Sequence, residues 1–154
     1  MVVGSRVQKF ARSKVFKGGR QMKFNFPIFA RLAERAYNQT FKDDIKQSIL
    51  TVSEMLDIFW YYFERYEYYH GGVHPNIRMA QIEDIMYKID FIDVDRKIGA
   101  ELAGVDGYKK MINKHFKTNY RHGDYNINHF FTGDIRLFRF YEVLKDGNFD
   151  IGDK

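Results

Sequence analysis

With 154 residues, 45% of them hydrophobic and 29% charged, the chain can bury one sizeable core, which excludes wholesale disorder. The absence of cysteine excludes disulfides, thiolate catalysis and zinc sites built on Cys. No apolar run reaches the ~18 residues that a membrane span needs, so we expect a cytoplasmic protein with no membrane partner.

The net charge of +5 is unevenly distributed along the chain. Residues 1–33 and 107–123 together contain thirteen of the 25 Lys and Arg residues and not one Asp or Glu. Positive charge collected in this way is typical of a surface that contacts a polyanion. Because the sequence also lacks a Walker loop, a dinucleotide fingerprint and a serine elbow, it predicts a non-enzymatic protein that binds nucleic acid, DNA in the first instance, and uses no cofactor.

Residues 1–26 predict a basic N-terminal arm or a β-hairpin. A hairpin would turn at Gly18-Gly19 and separate an apolar face from a basic one. A short helix that ends at these glycines is the rival interpretation. As an arm or a hairpin, the segment would clamp a phosphate track, as basic arms do, through Arg12, Lys14, Lys17, Arg20 and Lys23.

Residues 27–145 predict a mainly α, compact multi-helix domain. Pro27 suits the first turn of a helix that reaches about Asn38. Thr40 can then cap a long helix from Phe41 to about Tyr69. Its apolar positions fall within an arc of roughly 120°, which predicts one core-facing stripe. The stripe consists of Ile45, Ile49, Val52, Met55, Leu56, Phe59, Phe63 and Tyr66.

The aromatic residues of this long helix occupy more than one side. Tyr61 and Tyr68 project nearly opposite the core stripe, close to Leu50. Such a back face must meet another helix, a second subunit or stacked bases, because an aromatic face stabilises a stacked base by ~1–3 kcal/mol. The sequence leaves these three occupants open.

Four further helices are predicted between Gly71-Gly72 and the end of the domain. The side chains of Asn76 and Asp106 can cap the first and the third of them. Their approximate ranges are 77–89, 96–103, 107–120 and 133–142. Residues 146–154 contain three Asp residues and predict a flexible acidic tail.

The predicted helix over 107–120 carries the sharpest functional signal. Its basic and polar side chains occupy about 140° of the circumference, opposite an apolar arc. A helix docked by its apolar side would present them as one ridge, which suits a nucleic-acid groove. A solvated basic face is the alternative. The ridge comprises Lys109, Lys110, Asn113, Lys114, Lys117 and Arg121.

One group of residues, His115, His122, Asp124 and His129, resembles a set of metal ligands. Imidazole and carboxylate groups can bind zinc or manganese, and a metal-dependent nuclease is therefore an alternative function. The spacing matches no metal-binding motif, however, and His115 lies on the apolar side of its helix. We expect His115 to be a hydrogen-bonded core residue, and we predict no metal site.

A protein-interaction module is the main alternative function. Such a module, an inhibitor or adaptor of a larger machine, would use the surface around Tyr61 and Tyr68. A homodimer would combine the two functions, with its aromatic faces buried between subunits and its basic helices spaced for two half-sites.

Overall fold

The computed structural model describes residues 22–40, 50–88, 104–118 and 125–132. Most of these residues are helical and none of them is in a β-strand, so the prediction of a mainly helical chain is confirmed. The predicted hairpin or arm lies outside the described residues up to position 21, and so does the tail of 146–154. The helices are α1 (Phe26–Thr40), α2 (Val52–His70), α3 (Met79–Lys88), α4 (Val105–Lys117) and α5 (Ile127–Thr132).

Helix α1 lies against α2 and α3 through a face of small and aromatic side chains. Pro27 sits in its first turn, where a missing N–H costs no helical hydrogen bond. Alanine at three of the buried positions lets the neighbouring helices approach closely. The buried residues are Phe26, Phe29, Ala30, Ala33 and Ala36.

Helix α2 is the centre of the fold. The predicted stripe is buried from Val52 to Phe63, but Ile58, Trp60 and Tyr62 on its other sides are buried as well. A helix that is apolar on most of its circumference needs neighbours all round. Here α1 and α4 flank it, and rings of α5 close the core against Phe59 and Tyr62.

The start of α2 corrects the sequence prediction. Thr40 does not cap it but ends α1, while Thr51 is the N-cap. Thr51 and Glu54 form a reciprocal capping box: the Thr51 hydroxyl accepts from the Glu54 N–H, and the Glu54 carboxylate accepts from the Thr51 N–H. The predicted first turn at 41–44 lies outside the described residues. At the other end, Gly71 adopts φ 73°, the left-handed conformation of a glycine C-cap.

Helices α3 and α4 begin close to their predicted positions, whereas α5 falls in a stretch where no helix was predicted. Helix α3 starts at Met79, and the Gln81 side chain accepts a hydrogen bond from the Arg78 N–H just before it. Gly104, rather than Asp106, is the N-cap of α4, which leaves Asp106 in the first turn where the helix dipole favours an acid. The helices predicted over 96–103 and 133–142 lie outside the described residues.

Helices α2 and α4 run parallel, side by side. Asp57 contacts Lys109, and one turn later Tyr61 contacts Asn113. The residue numbers of both helices therefore increase in the same direction along the contact. Among the described helices, none combines the length and the apolar character needed to cross a membrane.

Candidate nucleic-acid interface

The basic ridge predicted on α4 is divided by the packing of α4 against α2. Lys109 Nζ lies 3.4 Å from Asp57 Oδ2, and the Tyr61 hydroxyl donates a hydrogen bond of 2.9 Å to Asn113 Oδ1. Asn113 is only 2% exposed. These two ridge residues therefore hold α4 against α2.

Tyr61 joins this contact to the aromatic back face of α2. Lys109 Nζ is 5.3 Å from the centroid of the Tyr61 ring, within the range of a cation–π interaction. Burial raises the pKa of Tyr61 from 10.0 to about 12, and the nearby charge of Arg65 acts in the opposite direction. The sequence left open whether another helix, a second subunit or stacked bases cover the back face of α2. At Tyr61, a helix of the same chain, α4, covers it.

The remaining described lysines of the ridge lie on the outer side of α4. Lys110 and Lys114 are half-buried, and Lys117 is exposed. Their spacing of four and three residues places them along one line of the helix, opposite the buried Ile112 and His115. Lys117 forms no ion pair with any of the residues that the structure describes. Arg121 lies outside the described residues.

Arg65 is a further residue of this region, and it was not among the predicted site residues. Its guanidinium carbon lies 5.6 Å from the ring centroid of Tyr61 and 4.5 Å from that of Tyr68. The residue is 6% exposed, and its Nε and Nη1 atoms have no hydrogen-bond partner among the residues that the structure describes. Leaving a buried donor unpaired costs ~1–3 kcal/mol, and more for a charged group.

The sequence did contain a signal for Arg65. It follows Tyr61 by four positions and precedes Tyr68 by three, so the three residues share one side of the helix. An arginine inside an aromatic run on the back face is a candidate for stacking and for anion binding.

The two other residues predicted to bind a partner have different environments. Tyr68 is 49% exposed. Leu50 is 4% exposed, and its carbonyl accepts a hydrogen bond from the Tyr37 hydroxyl. Leu50 therefore belongs to the core and does not extend the exposed surface around Tyr68.

Lys23 is the described residue of the predicted phosphate clamp; Arg12, Lys14, Lys17 and Arg20 lie outside the described residues. The Lys23 side chain is exposed. Its N–H donates to both oxygens of the Glu67 carboxylate at 3.2 and 3.1 Å, and the Phe24 N–H donates to one of them at 2.9 Å. Glu67 thus fixes the chain around Lys23 to α2, half a turn from Arg65.

His115 is the buried, hydrogen-bonded residue that the sequence predicts. Its Nε2 lies 3.0 Å from the Tyr62 hydroxyl, which also contacts the carbonyls of Tyr125 and Asn126. Carbonyls only accept, so the Tyr62 proton points to them and His115 Nε2 is the donor. His122 and Asp124 lie outside the described residues, within which no group of three potential metal ligands occurs.

A second buried histidine, His74, joins α5 to the turn after α2. Its Nδ1 is 2.7 Å from the Pro75 carbonyl, and its Nε2 accepts a hydrogen bond of 3.0 Å from the Ile127 N–H. A carbonyl can only accept and an amide can only donate, which assigns the neutral tautomer with its proton on Nδ1. His74 therefore satisfies the first N–H of α5.

No known protein-family model matches the sequence, and no curated protein or solved structure is detectably similar to it.

Proposed function

We propose that the protein is a non-enzymatic nucleic-acid-binding protein that docks through the outer side of α4. The observation that supports this most is the line of Lys110, Lys114 and Lys117 on a helix whose opposite side is buried. The single acid of α4, Asp106, stands in the first turn, away from Lys114 and Lys117. A helix fixed by its core face presents these cations at constant spacing, as phosphate contacts require.

The dimensions of the lysine line suit a nucleic-acid backbone. At 1.5 Å per residue, Lys110 and Lys117 are separated by about 10 Å along the helix axis. A DNA duplex carries one negative charge per ~1.7 Å of its axis, so each lysine can reach a different phosphate. Arg121 and the basic residues of the N-terminal segment would add further contacts in this proposal.

Salt dependence tests the proposal directly. Fluorescence anisotropy titrations of labelled duplex and single-stranded DNA and RNA would be repeated at several salt concentrations. Three phosphates engaged by α4 alone give a slope of log K against log salt of about −2.7 for duplex DNA, and additional contacts from the basic arm make it steeper. Absence of binding to every one of these nucleic acids, or a flat salt dependence, contradicts the proposal.

A pair of charge-reversal variants tests the role of α4. We expect Lys114→Glu with Lys117→Glu to weaken binding of all sequences and to reduce the salt slope by about 2. Arg31→Glu with Arg35→Glu is the matched control, because both arginines are exposed on α1 and the change in net charge is the same. Equal weakening by both pairs would show that only net charge matters, not the surface of α4.

A protein partner is the second candidate, favoured by the 49% exposure of Tyr68, since tyrosine is enriched in protein interfaces. If the partner is a second copy of the chain, light scattering coupled to size exclusion would give the mass of a dimer. The Tyr68→Ala variant would then have the mass of a monomer. A monomer mass for the unchanged protein rejects the homodimer.

A further inference from the structure

The parallel contact between α2 and α4 places Arg65 and Lys117 at the same level. Asp57 meets Lys109 at one level and Tyr61 meets Asn113 one turn later. A further step of four residues on each helix leads to Arg65 and Lys117. Phe116, the residue before Lys117, packs against the rings of Tyr62 and Tyr69, which lie before and after Arg65 on α2, with centroids 4.9 and 5.5 Å away.

Each pair of facing residues defines one level of the contact, and the third level, Arg65 and Lys117, differs from the first two in its charges. At the first two levels an acid or a hydroxyl of α2 meets a cation or an amide of α4. At the third level both helices contribute a cation. Among the neighbouring acids, Glu67 accepts the N–H groups of Lys23 and Phe24, and neither Glu64 nor Glu67 bonds to Nε or Nη1 of Arg65.

The two guanidinium nitrogens without a hydrogen-bond partner indicate which kind of ligand could bind beside Arg65 and Lys117. Nε and Nη1 of Arg65 are donors, so the missing partner supplies acceptor oxygens, and a phosphate or a carboxylate can bind a guanidinium through two of them. The exposed ammonium group of Lys117 adds a second positive charge at this level. An anion bound here recovers the cost of the unpaired donors and relieves the repulsion between the two cations.

Tyr68 adds an aromatic surface to the cations. Its ring lies over the Arg65 guanidinium at 4.5 Å and is nevertheless 49% exposed. Because the ring is at the surface, a change of its side-chain rotamer can uncover the guanidinium, and such changes take picoseconds to nanoseconds. A flat base can then stack on the ring while its phosphate reaches Arg65.

We propose that Arg65, Tyr68 and Lys117 form a subsite for one nucleotide of a single strand, with the phosphate at Arg65 and Lys117 and the base on Tyr68. This inference rests on the proposed function and specifies its ligand as single-stranded rather than duplex nucleic acid. Bases in a duplex are already stacked and paired, so a duplex can contact the lysines of α4 but cannot supply a base to Tyr68.

The test compares a labelled oligothymidylate with a duplex of the same length in anisotropy titrations. We expect Tyr68→Leu to weaken single-strand binding by about tenfold, the loss of one base stack, and to leave duplex binding within twofold. Tyr68→Phe keeps the ring and is expected to retain single-strand binding. Ile28→Ala is the matched control for truncating an exposed apolar side chain, since Ile28 is 52% exposed on α1.

The guanidinium is tested in the same titrations with Arg65→Lys, which keeps the charge but loses the two-point hydrogen bonding. We expect about tenfold weaker single-strand binding, and no change for Arg31→Lys, the control on α1. A measurement on the unchanged protein is independent of folding of the variants: the Arg65 Nε–H resonance in a ¹⁵N spectrum should shift on saturation with the oligothymidylate.

The outcomes separate this inference from the proposed function. Three results together would reject the nucleotide subsite: equal binding of single strand and duplex by the unchanged protein, variants that behave like their controls, and an Arg65 resonance that does not move. Nucleic-acid binding by α4 would still stand. If the unchanged protein binds neither ligand, the proposed function fails and the subsite fails with it. Selective loss of single-strand binding in Tyr68→Leu and Arg65→Lys supports the subsite.

Discussion

Two sets of buried polar groups adjoin the aromatic rings of α2, and they differ in how their hydrogen bonds are satisfied. In the interior, His74 and His115 lie among Phe and Tyr rings, and each makes hydrogen bonds within the chain. At the C-terminal end of the contact between α2 and α4, Arg65 lies beside two Tyr rings, and two of its nitrogens form no hydrogen bond within the described part of the chain.

If the nucleotide subsite exists, this difference separates polar groups that serve the fold from a polar group that binds a ligand. A satisfied buried group contributes to stability, and breaking its hydrogen bonds costs free energy. An unsatisfied buried charge opposes folding in the absence of a ligand, and it is retained at that cost when it serves another purpose. Substitutions in the two sets should therefore have different effects on stability.

The largest effect is expected from His74→Leu. Leucine offers no acceptor to the Ile127 N–H and no donor to the Pro75 carbonyl, so both backbone groups lose their imidazole partner. We expect the free energy of unfolding to fall by ~2–3 kcal/mol. For a chain of this length this corresponds to a Tm lower by roughly 4–12 °C, which differential scanning calorimetry would measure.

The matched variant for this prediction is His74→Gln. The glutamine carbonyl can take the place of Nε2 as an acceptor for the Ile127 N–H, so part of the lost stability should return. A leucine variant as stable as the unchanged protein would contradict the assignment of His74 as a structural hydrogen-bonding group.

A smaller effect, of less than about 1 kcal/mol, is expected from Arg65→Met. Methionine keeps much of the length of the side chain and removes a buried charge, two of whose nitrogens have no hydrogen-bond partner among the described residues. Such replacements are often neutral or stabilising. The lost stacking on Tyr61 and Tyr68 opposes this gain. Urea unfolding would measure the difference in the absence of any nucleic acid.

A large loss of stability in Arg65→Met would contradict the proposed difference between the buried histidines and Arg65. It would indicate that stacking alone holds the guanidinium in place for the sake of the fold. Stability close to that of the unchanged protein, together with loss of single-strand binding, would instead identify Arg65 as a residue kept for its ligand.

Much of the helical architecture could be predicted from local patterns. The turn at Gly71 and the approximate ranges of α1, α3 and α4 agree with the structure. The type of capping residue could not decide whether α2 starts after Thr40 or after Thr51, because both residues are threonines. The glutamate three residues after Thr51 was the local signal that distinguishes them.

The candidate interface was less predictable, because it depends on which helices meet. Helical spacing placed Asn113 on a ridge with the lysines, but its burial depends on Tyr61, more than 50 positions earlier in the chain. Periodicity describes the faces of one helix and carries no information about its neighbour. For the same reason, two surfaces that the sequence presents separately, the aromatic back face and the basic ridge, prove to touch.

A further prediction concerns the alkaline limit of stability. Burial raises the pKa of Tyr61 to about 12 in the folded protein, against 10.0 ordinarily. Below pH 10 the hydroxyl is neutral in both states, so it adds no pH dependence. Between pH 10 and about 12 the unfolded chain releases this proton first, so the free energy of unfolding falls as the pH rises. Tyr61→Phe should remove this contribution.

The titration of Tyr61 also reports on Arg65. The guanidinium charge lowers the pKa of Tyr61, although burial outweighs it, so Arg65→Met should move the ionisation of Tyr61 to higher pH. Tyrosinate absorbance would follow it, with Tyr61→Phe identifying the residue's share of the signal. An unchanged titration in Arg65→Met would mean that the charge does not act on Tyr61 in solution. A shift to higher pH would locate an active positive charge beside the ring, where the nucleotide subsite requires it.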